Sequence, residues 1–260
     1  MKIKIFTEGG ENIGLGHISR CCSLYDEAYR RGIDVEFIIY GDISHIDLIK
    51  NRPVINDNWL SADYLYNNIN STDYCIVDSY LAPKELYEII SAKAMRALYI
   101  DDMARINYPK GIVVNPSLDT ENIIYLENNE NIYLLGYKYI ILRTPFIDTQ
   151  RNTRSNIVKE VLITMGGSDT RNLTPKIMNN LCNEYPYIKF NVVVNDTFHN
   201  IAYIEEIKLD NIELYYNADE HLMSELMIKS DIAITAAGQT IYELLATETP
   251  FIPIKVIDNQ

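Results

Sequence analysis

The chain has 260 residues, of which 47% are apolar and 23% charged, and its formal net charge is -13. This length supports one large or two ordinary domains, and the composition excludes a disordered or fibrous protein. The negative charge argues against nucleic acid or an anionic membrane surface as the main partner, although backbone amides at a helix start still allow a nucleotide phosphate.

The cysteine pattern and the apolar runs indicate the compartment. Cys21, Cys22, Cys75 and Cys182 form no CxxC pair, so we predict buried small residues rather than a zinc site or a disulfide framework. The N-terminus is too short in its apolar part for a signal peptide, and no run is long enough to cross a bilayer. We therefore expect a cytoplasmic protein without stable membrane insertion. We identify no metal ligands in the sequence and predict no cofactor.

Strand-like and helix-like segments alternate over most of the chain, which is typical of parallel sheets with crossover helices. In the first half, the predicted strands are Lys2–Phe6, Val35–Tyr40, Tyr74–Asp78, Ala97–Ile100 and Ile112–Val114. The predicted helices are Ile18–Arg31, closed by Gly32, and Lys84–Ala92, opened by Pro83. The stretch 43–70 is poorly patterned, and we expect one or two short elements there.

A glycine-rich turn, TEGGENIGLGHISR, joins the first predicted strand to the first predicted helix. Gly14 and Gly16 permit backbone conformations that other residues avoid, and they allow a ligand to approach the main chain. His17 stands at the positive end of the helix dipole, so we expect a neutral ring that accepts a proton. The same pattern also fits a tight connection in which His17 only caps or packs.

Polar side chains follow the other predicted strands of this half. They are Asp78 and Tyr80, then Asp101 and Asp102, and finally Asn115. Ligands bind at the carboxyl ends of parallel strands, so these residues join His17 as candidates for one cleft. Each of them taken alone is more typical of a loop cap.

A polar stretch at 148–156 is the predicted hinge between a domain at 1–148 and a second at 157–260. The alternation then restarts, with predicted strands Glu160–Thr164, Lys189–Val194, Ile212–Tyr215, Asp231–Thr235 and Pro250–Val256. The predicted helices run from Leu173 to about Glu184, near Tyr203, and over Asp219–Met227 and Ile241–Ala246. This half is therefore expected to repeat the architecture of the first.

Two turns of small residues in the second half each follow a predicted strand. They read MGGSD at 165–169 and AAGQT at 236–240. Small residues at such a turn leave the helix N-terminus open, an arrangement that receives a diphosphate. Glu243, near the start of the last predicted helix, either complements the helix dipole or accepts hydrogen bonds from a ribose.

Seven blocks occur in the same order as in a known enzyme family: GLGHISR, VDSY, IDD, YIILR, MGGSD, TAAGQTIYELLA and the closing DNQ. Through them the sequence resembles the UDP-sugar hydrolases of pseudaminic acid biosynthesis. These enzymes remove UDP from UDP-2,4-diacetamido-2,4,6-trideoxy-β-L-altropyranose and are related to the UDP-N-acetylglucosamine transferase of peptidoglycan synthesis. The resemblance implies an α/β protein with two Rossmann-like domains, the glycosyltransferase B fold.

The resemblance also implies a UDP-sugar substrate and a role for each domain. His17 would be the base that activates water, Tyr80 would line the sugar pocket of the N-terminal domain, and Asn259 and Gln260 would lie near the leaving group or the water. The C-terminal domain would bind UDP, and it is expected to end before the last helices of the family. The candidate substrate-binding residues are Gly14, Gly16, Asp78, Asp102, Asn115, Arg143, Gly166, Gly167, Ser168, Asp169, Gly238, Gln239, Thr240 and Glu243.

Two other functions remain open beside the hydrolase. A glycosyltransferase of the same fold would use an acceptor hydroxyl in place of water, and a non-catalytic module would bind a nucleotide sugar without turnover. A dinucleotide oxidoreductase is disfavoured, because Ser19 stands where the third glycine of GxGxxG is required.

Overall fold

The computed structural model describes residues 2–10, 13, 16–44, 46–117, 120–126, 128–147, 149, 157–167 and 169–256. The chain divides into two compact units, Met1–Ile141 and Leu142–Gln260, called here the N-terminal and C-terminal units. The division precedes the predicted hinge at 148–156, most of which lies outside the described residues. Residues 142–147 belong to the C-terminal unit because Phe146 is buried in its core beside Leu162 and Met227.

The N-terminal unit contains a seven-stranded parallel sheet in the order β3-β2-β1-β4-β5-β6-β7. Its strands are β1 Lys2–Glu8, β2 Asp34–Tyr40, β3 Val54–Asn56, β4 Asp73–Asp78, β5 Arg96–Ile100, β6 Ile112–Asn115 and β7 Ile132–Leu135. Its α-helices are α1 Gly16–Arg30, α2 Ala62–Asn68 and α3 Lys84–Lys93.

The apolar run of β1 places it at the centre of this sheet. Ile5 and Phe6 are fully buried and point into different core clusters, as expected for a parallel strand that is covered on both faces. Phe6 lies in register with Ile38 of β2 and Val77 of β4. The carboxyl ends of β1 and β4 therefore meet at the same edge of the sheet.

The helix that follows β1 ends as predicted, at a glycine. Gly32 has φ +69°, and the Ile33 amide bonds the Ala28 carbonyl, which closes the last turn of α1 with a left-handed residue. The stretch 43–70 contains three short elements rather than one or two: the 3₁₀ helix Asp47–Ile49, β3 and α2. The edge strand β7 has no counterpart among the predicted elements.

The C-terminal unit contains a five-stranded parallel sheet in the order β10-β9-β8-β11-β12. Its strands are β8 Glu160–Thr164, β9 Lys189–Val194, β10 Ile212–Tyr216, β11 Ile232–Ala236 and β12 Phe251–Ile254. Its α-helices are α4 Leu173–Ile177, α5 Ile201–Glu206, α6 Glu220–Lys229 and α7 Thr240–Ala246. The single helix predicted from Leu173 is instead α4 followed by the π-helical segment Met178–Cys182.

Both units thus have the predicted α/β architecture with all strands parallel. The four cysteines are free and buried, which confirms their predicted role as small core residues. Within the described ranges, no helix has both the length and the apolar character needed to span a membrane.

Candidate active site

The centre of the candidate site in the N-terminal unit is a hydrogen bond between His17 and Asp78. The helix α1 begins at Gly16, so His17 lies in its first turn, while Asp78 ends β4. His17 Nδ1 lies 2.6 Å from Asp78 Oδ1, and the two residues are 6% and 1% exposed. A carboxylate only accepts, so the bond to Asp78 requires the hydrogen on Nδ1 and leaves the lone pair of the neutral ring on Nε2. Arg20 Nη2 also lies 3.0 Å from Nδ1, and with this tautomer its hydrogen goes to Asp78 Oδ1 instead.

Arg20 completes this cluster from the next turn of α1. Its Nε donates to Asp78 Oδ2 at 2.9 Å and its Nη2 to Oδ1 at 3.0 Å, a bidentate ion pair. A second carboxylate, that of Asp102, lies 3.7 Å from Arg20 Nη1. Arg20 was not among the predicted site residues. Its signal was the spacing of three residues from His17, which puts both side chains on one helix face.

The Asp78 carboxyl is expected to make the stability of the protein depend on acid pH. Burial opposes its ionisation, but the Arg20 charge and the His17 hydrogen bond outweigh burial and lower its pKa below the ordinary value of 3.8. The unfolded chain therefore takes up this proton first as the pH falls, and the stabilisation, present above the ordinary value, disappears through the depressed pKa of the folded state.

Urea unfolding measured stepwise from about pH 6 to pH 3 tests this dependence. The free energy of unfolding of the wild type should fall more steeply below the ordinary pKa than that of Asp78→Asn. Parallel curves for the two proteins would contradict the assignment.

Tyr80 and Asp102 form the exposed side of the cluster. Tyr80 Oη donates to the Asp102 carboxylate, 2.5 Å from Oδ1 and 2.6 Å from Oδ2. The edge of one ring meets the face of the other in the Tyr80–His17 pair, with centroids 4.4 Å apart. Burial and the bond to Asp102 raise the pKa of the Tyr80 hydroxyl, so it acts as a donor. Three strand-end residues predicted from the sequence therefore lie together around His17.

Two other strand-end residues of the N-terminal unit serve its internal structure. Asp101 accepts hydrogen bonds from the hydroxyls of Tyr108 at 2.9 Å and Tyr125 at 2.5 Å. Asn115 is fully buried, donates to Tyr125 Oη at 3.0 Å and accepts from the Ser117 amide at 2.9 Å. The bond from the Ser117 amide fits the alternative interpretation of Asn115 as a loop cap, and its role in substrate binding stays a prediction.

In the C-terminal unit, the structure brings together Arg143 and Glu243. Arg143 Nε donates to Glu243 Oε1 at 2.7 Å and Nη2 to Oε2 at 2.9 Å. Glu243 lies in the first turn of α7 and is 2% exposed. The ion pair neutralises the buried carboxylate, and each oxygen keeps the capacity to accept one further hydrogen bond.

The first small-residue turn of this unit contains a glycine with positive φ and a side chain that caps a helix. Gly166 has φ +74°, a conformation that favours glycine, and its carbonyl accepts from Asn195 Nδ2 at 2.7 Å. The Gly167 carbonyl accepts from the Thr197 hydroxyl. Asp169 accepts from the amides of Leu173 and Thr174, both at 2.7 Å. Its side chain therefore caps the start of α4 and satisfies amides that an anion would otherwise use.

The second turn leads from β11 into α7, which begins at Thr240. The Gly238 amide donates to the Ala236 carbonyl at 2.8 Å. The Gly238 carbonyl accepts from the Ile241 amide and the Gln239 carbonyl from the Tyr242 amide, each at 3.1 Å. Gly14, Ser168, Asn259 and Gln260, the remaining candidates, lie outside the described residues. Among the residues that are described, no group of three or more His, Cys, Asp or Glu is arranged to hold a metal ion.

The sequence is similar to three proteins described below, while no protein-family model matches it. It is 31% identical to an uncharacterized protein of Methanocaldococcus jannaschii over 97% of this chain and 55% of that protein. It is 27% identical to the pseudaminic acid cytidylyltransferase and UDP-2,4-diacetamido-2,4,6-trideoxy-β-L-altropyranose hydrolase of Helicobacter pylori, over 100% of this chain and 45% of that protein. It is 23% identical to a spore coat polysaccharide biosynthesis protein of Bacillus subtilis, over 100% of this chain and 79% of that protein. The chain thus spans about half the length of the first two relatives.

Solved structures identify the architecture. MurG of Acinetobacter baumannii superposes with a TM-score of 0.60 at 12% identity, over 99% of this chain and 80% of that one. The kitacinnamycin glycosyltransferase superposes with a TM-score of 0.62 at 13% identity, over 100% of this chain and 81% of that one. The chain has the glycosyltransferase B fold. This fold explains why residues distant in sequence converge on His17, since each Rossmann-like unit gathers its strand-end loops at one edge of its sheet.

Proposed function

We propose that this chain is a nucleotide-sugar hydrolase that removes UDP from a UDP-diacetamido-trideoxy sugar. The observation that carries the proposal is the 2.6 Å hydrogen bond of His17 to Asp78 at the strand ends of the N-terminal unit. The similarity to the Helicobacter pylori protein, whose name includes such a hydrolase, supports the substrate class. As part of the same proposal, the enzyme acts in the cytoplasm and takes part in nonulosonic acid biosynthesis.

The His17–Asp78 pair supports general-base chemistry at a saturated carbon. Water would attack the anomeric carbon and give its proton to His17 Nε2, while the bond from that carbon to the UDP oxygen breaks and UDP leaves with the electron pair. Asp78 holds the ring by its Nδ1 hydrogen and stabilises the imidazolium that forms. A positioned base of this kind contributes about 10²- to 10⁴-fold to a rate.

The roles of the two units follow from the same proposal. The N-terminal unit would supply the sugar pocket, with Tyr80, Asp102 and Asp78 around His17. The C-terminal unit would bind UDP, with Gly166 and Gly167 near the nucleotide and Gly238, Gln239 and Thr240 near the diphosphate. Glu243 would accept hydrogen bonds from the ribose while Arg143 holds its carboxylate in place.

The test is UDP release from a panel of UDP-2,4-diacetamido and UDP-N-acetyl sugars, without an acceptor and in water labelled with ¹⁸O. Release of UDP that contains no ¹⁸O is expected, because water attacks carbon and the phosphate oxygen stays with UDP. Label in the UDP phosphate would place the attack at phosphorus and refute the proposed chemistry.

A glycosyltransferase is the second candidate, because MurG and the kitacinnamycin glycosyltransferase share the fold. The same base would then deprotonate an acceptor hydroxyl. UDP release that requires an added alcohol or sugar acceptor would favour this function. UDP binding without release under either condition would leave a nucleotide-sugar binding module.

A further inference from the structure

A fully buried carboxylate, that of Glu8, supports the loop on which Tyr80 stands. Glu8 is the last residue of β1 and is 0% exposed. Its Oε1 accepts from the amides of Tyr80 at 2.6 Å and Leu81 at 2.9 Å, and its Oε2 accepts from the Ser79 hydroxyl. A buried charge that receives several hydrogen bonds holds its donors firmly, because each of them would lose a charge-assisted bond by moving.

The rest of this loop, residues 79–82, is also fixed by hydrogen bonds. The Ser79 hydroxyl accepts from the Ala82 amide at 2.9 Å, and the Ser79 carbonyl accepts from Tyr87 Oη at 3.1 Å. Arg105 Nη2 donates to the Ala82 carbonyl at 2.9 Å. The loop is therefore held by β1, by α3 and by Arg105, and Glu8 supplies the contacts at Tyr80 itself.

The position of Tyr80 determines two contacts of the candidate site. The centroid of its ring lies 4.4 Å from that of the His17 ring, and its hydroxyl donates to the Asp102 carboxylate. A shift of the Tyr80 backbone would break the contact between the Tyr80 and His17 rings and move Asp102. The path from Glu8 to His17 thus consists of direct contacts: carboxylate to amide, and ring to ring.

We infer that Glu8 is a positioning residue of the candidate site, which holds the loop 79–82 so that Tyr80 fixes the His17 ring and the Asp102 carboxylate. Glu8 touches neither His17 nor the reacting atoms in this arrangement, and it acts through Tyr80. The expected effect on turnover rests on the proposed function. The position of the His17 ring can be measured without turnover.

Three variants and one control distinguish a positioning role of Glu8 from an effect of its charge and from a general loss of stability. Glu8→Gln keeps an oxygen for the two amides, whereas Glu8→Leu removes every acceptor. Ser79→Ala removes one of the donors and provides a milder change should Glu8→Leu fail to fold. Asp231→Asn is the matched control, because Asp231 also accepts two backbone amides, from Lys159 at 2.7 Å and Glu160 at 3.0 Å, in the C-terminal unit.

The first readout is the nuclear magnetic resonance of the imidazole rings. The chain has four histidines, so the His17 signals are assigned by comparison with a His17 variant. Glu8→Leu should move these signals strongly, Ser79→Ala should move them less, and Glu8→Gln and Asp231→Asn should leave them in place. Amide exchange of the peptide covering 79–83 should accelerate in the same order.

The second readout is turnover on the sugar that the wild type hydrolyses. Glu8→Leu should lower kcat by about 10- to 100-fold, the size expected for a misplaced group, while the affinity for UDP alone stays unchanged. Glu8→Gln should restore the rate. Unmoved His17 signals in folded Glu8→Leu, or a wild-type kcat, would overturn the inference. Absence of UDP release by the wild type would instead refute the proposed function, and the ring signals would still decide the role of Glu8.

Discussion

Replacing His17 with alanine is expected to lower the rate of UDP release by about 10²- to 10⁴-fold. The substitution removes Nε2, the only ring nitrogen that the bond to Asp78 leaves for the substrate. Binding of UDP itself should be unchanged, because the proposed nucleotide contacts belong to other residues. The measurement is kcat for UDP release together with the dissociation constant of UDP from calorimetry.

The control for this prediction is His221→Ala, an exposed histidine of α6 in the C-terminal unit. It makes the same change of side chain without touching the His17 cluster, so its kcat should equal that of the wild type. Equal activity of the His17 and His221 variants would remove His17 from the chemistry. A loss of UDP affinity as large as the loss of rate would point to a damaged fold.

Asp78→Asn is expected to affect both rate and stability. An asparagine amide oriented toward His17 stabilises the imidazolium less and permits the wrong tautomer, so kcat should fall by about 10²- to 10⁴-fold. Loss of the carboxylate also leaves the Arg20 guanidinium, whose side chain is 14% exposed, without its bidentate partner. Removing one partner of a buried ion pair lowers the free energy of unfolding by about 3–5 kcal/mol. We expect a loss at the lower end of this range, because the Asp102 carboxylate still lies near the Arg20 guanidinium.

Urea unfolding and kcat of Asp78→Asn are compared with those of Asp26→Asn. Asp26 also pairs with an arginine, Arg52, through a 2.7 Å bond from Nε, but its side chain is 35% exposed and lies outside the His17 cluster. Asp26→Asn should keep full activity and lose less stability. Comparable stability losses in both variants, or an active Asp78→Asn protein, would refute the assigned role of Asp78.

The fold was largely predictable because its central strands are buried on both faces. Such strands appear as short apolar runs, and β1, β4 and β8 were located within one or two residues. The edge strands were harder to recognise. In β7 the two end residues are exposed, and within the part of the chain that the structure describes the strand pairs with β6 alone, so its sequence carries little of the pattern that burial imposes.

The candidate site was predictable to the extent that it follows from strand ends. That rule selected Asp78 and Asp102, but it gave no means of separating Asp102 from its neighbour Asp101, which points to Tyr108 and Tyr125 instead. Glu8 ends a strand as Asp78 does, but the predicted first strand stopped at Phe6, and the partners of Glu8 lie more than 70 residues away. Contacts at that distance are set by the packing of the sheet and have no local sequence signal.

The charges at the carboxyl edge of the N-terminal sheet also affect which ligands can bind there. Among the residues described at this edge are four carboxylates, those of Glu8, Asp78, Asp101 and Asp102, and two guanidinium groups, those of Arg20 and Arg105. The excess of negative charge repels phosphates and favours an uncharged, hydroxyl-rich or amide-bearing ligand. Under the proposed function, the same electrostatic field would accept the uncharged sugar and disfavour rebinding of anionic UDP at this edge.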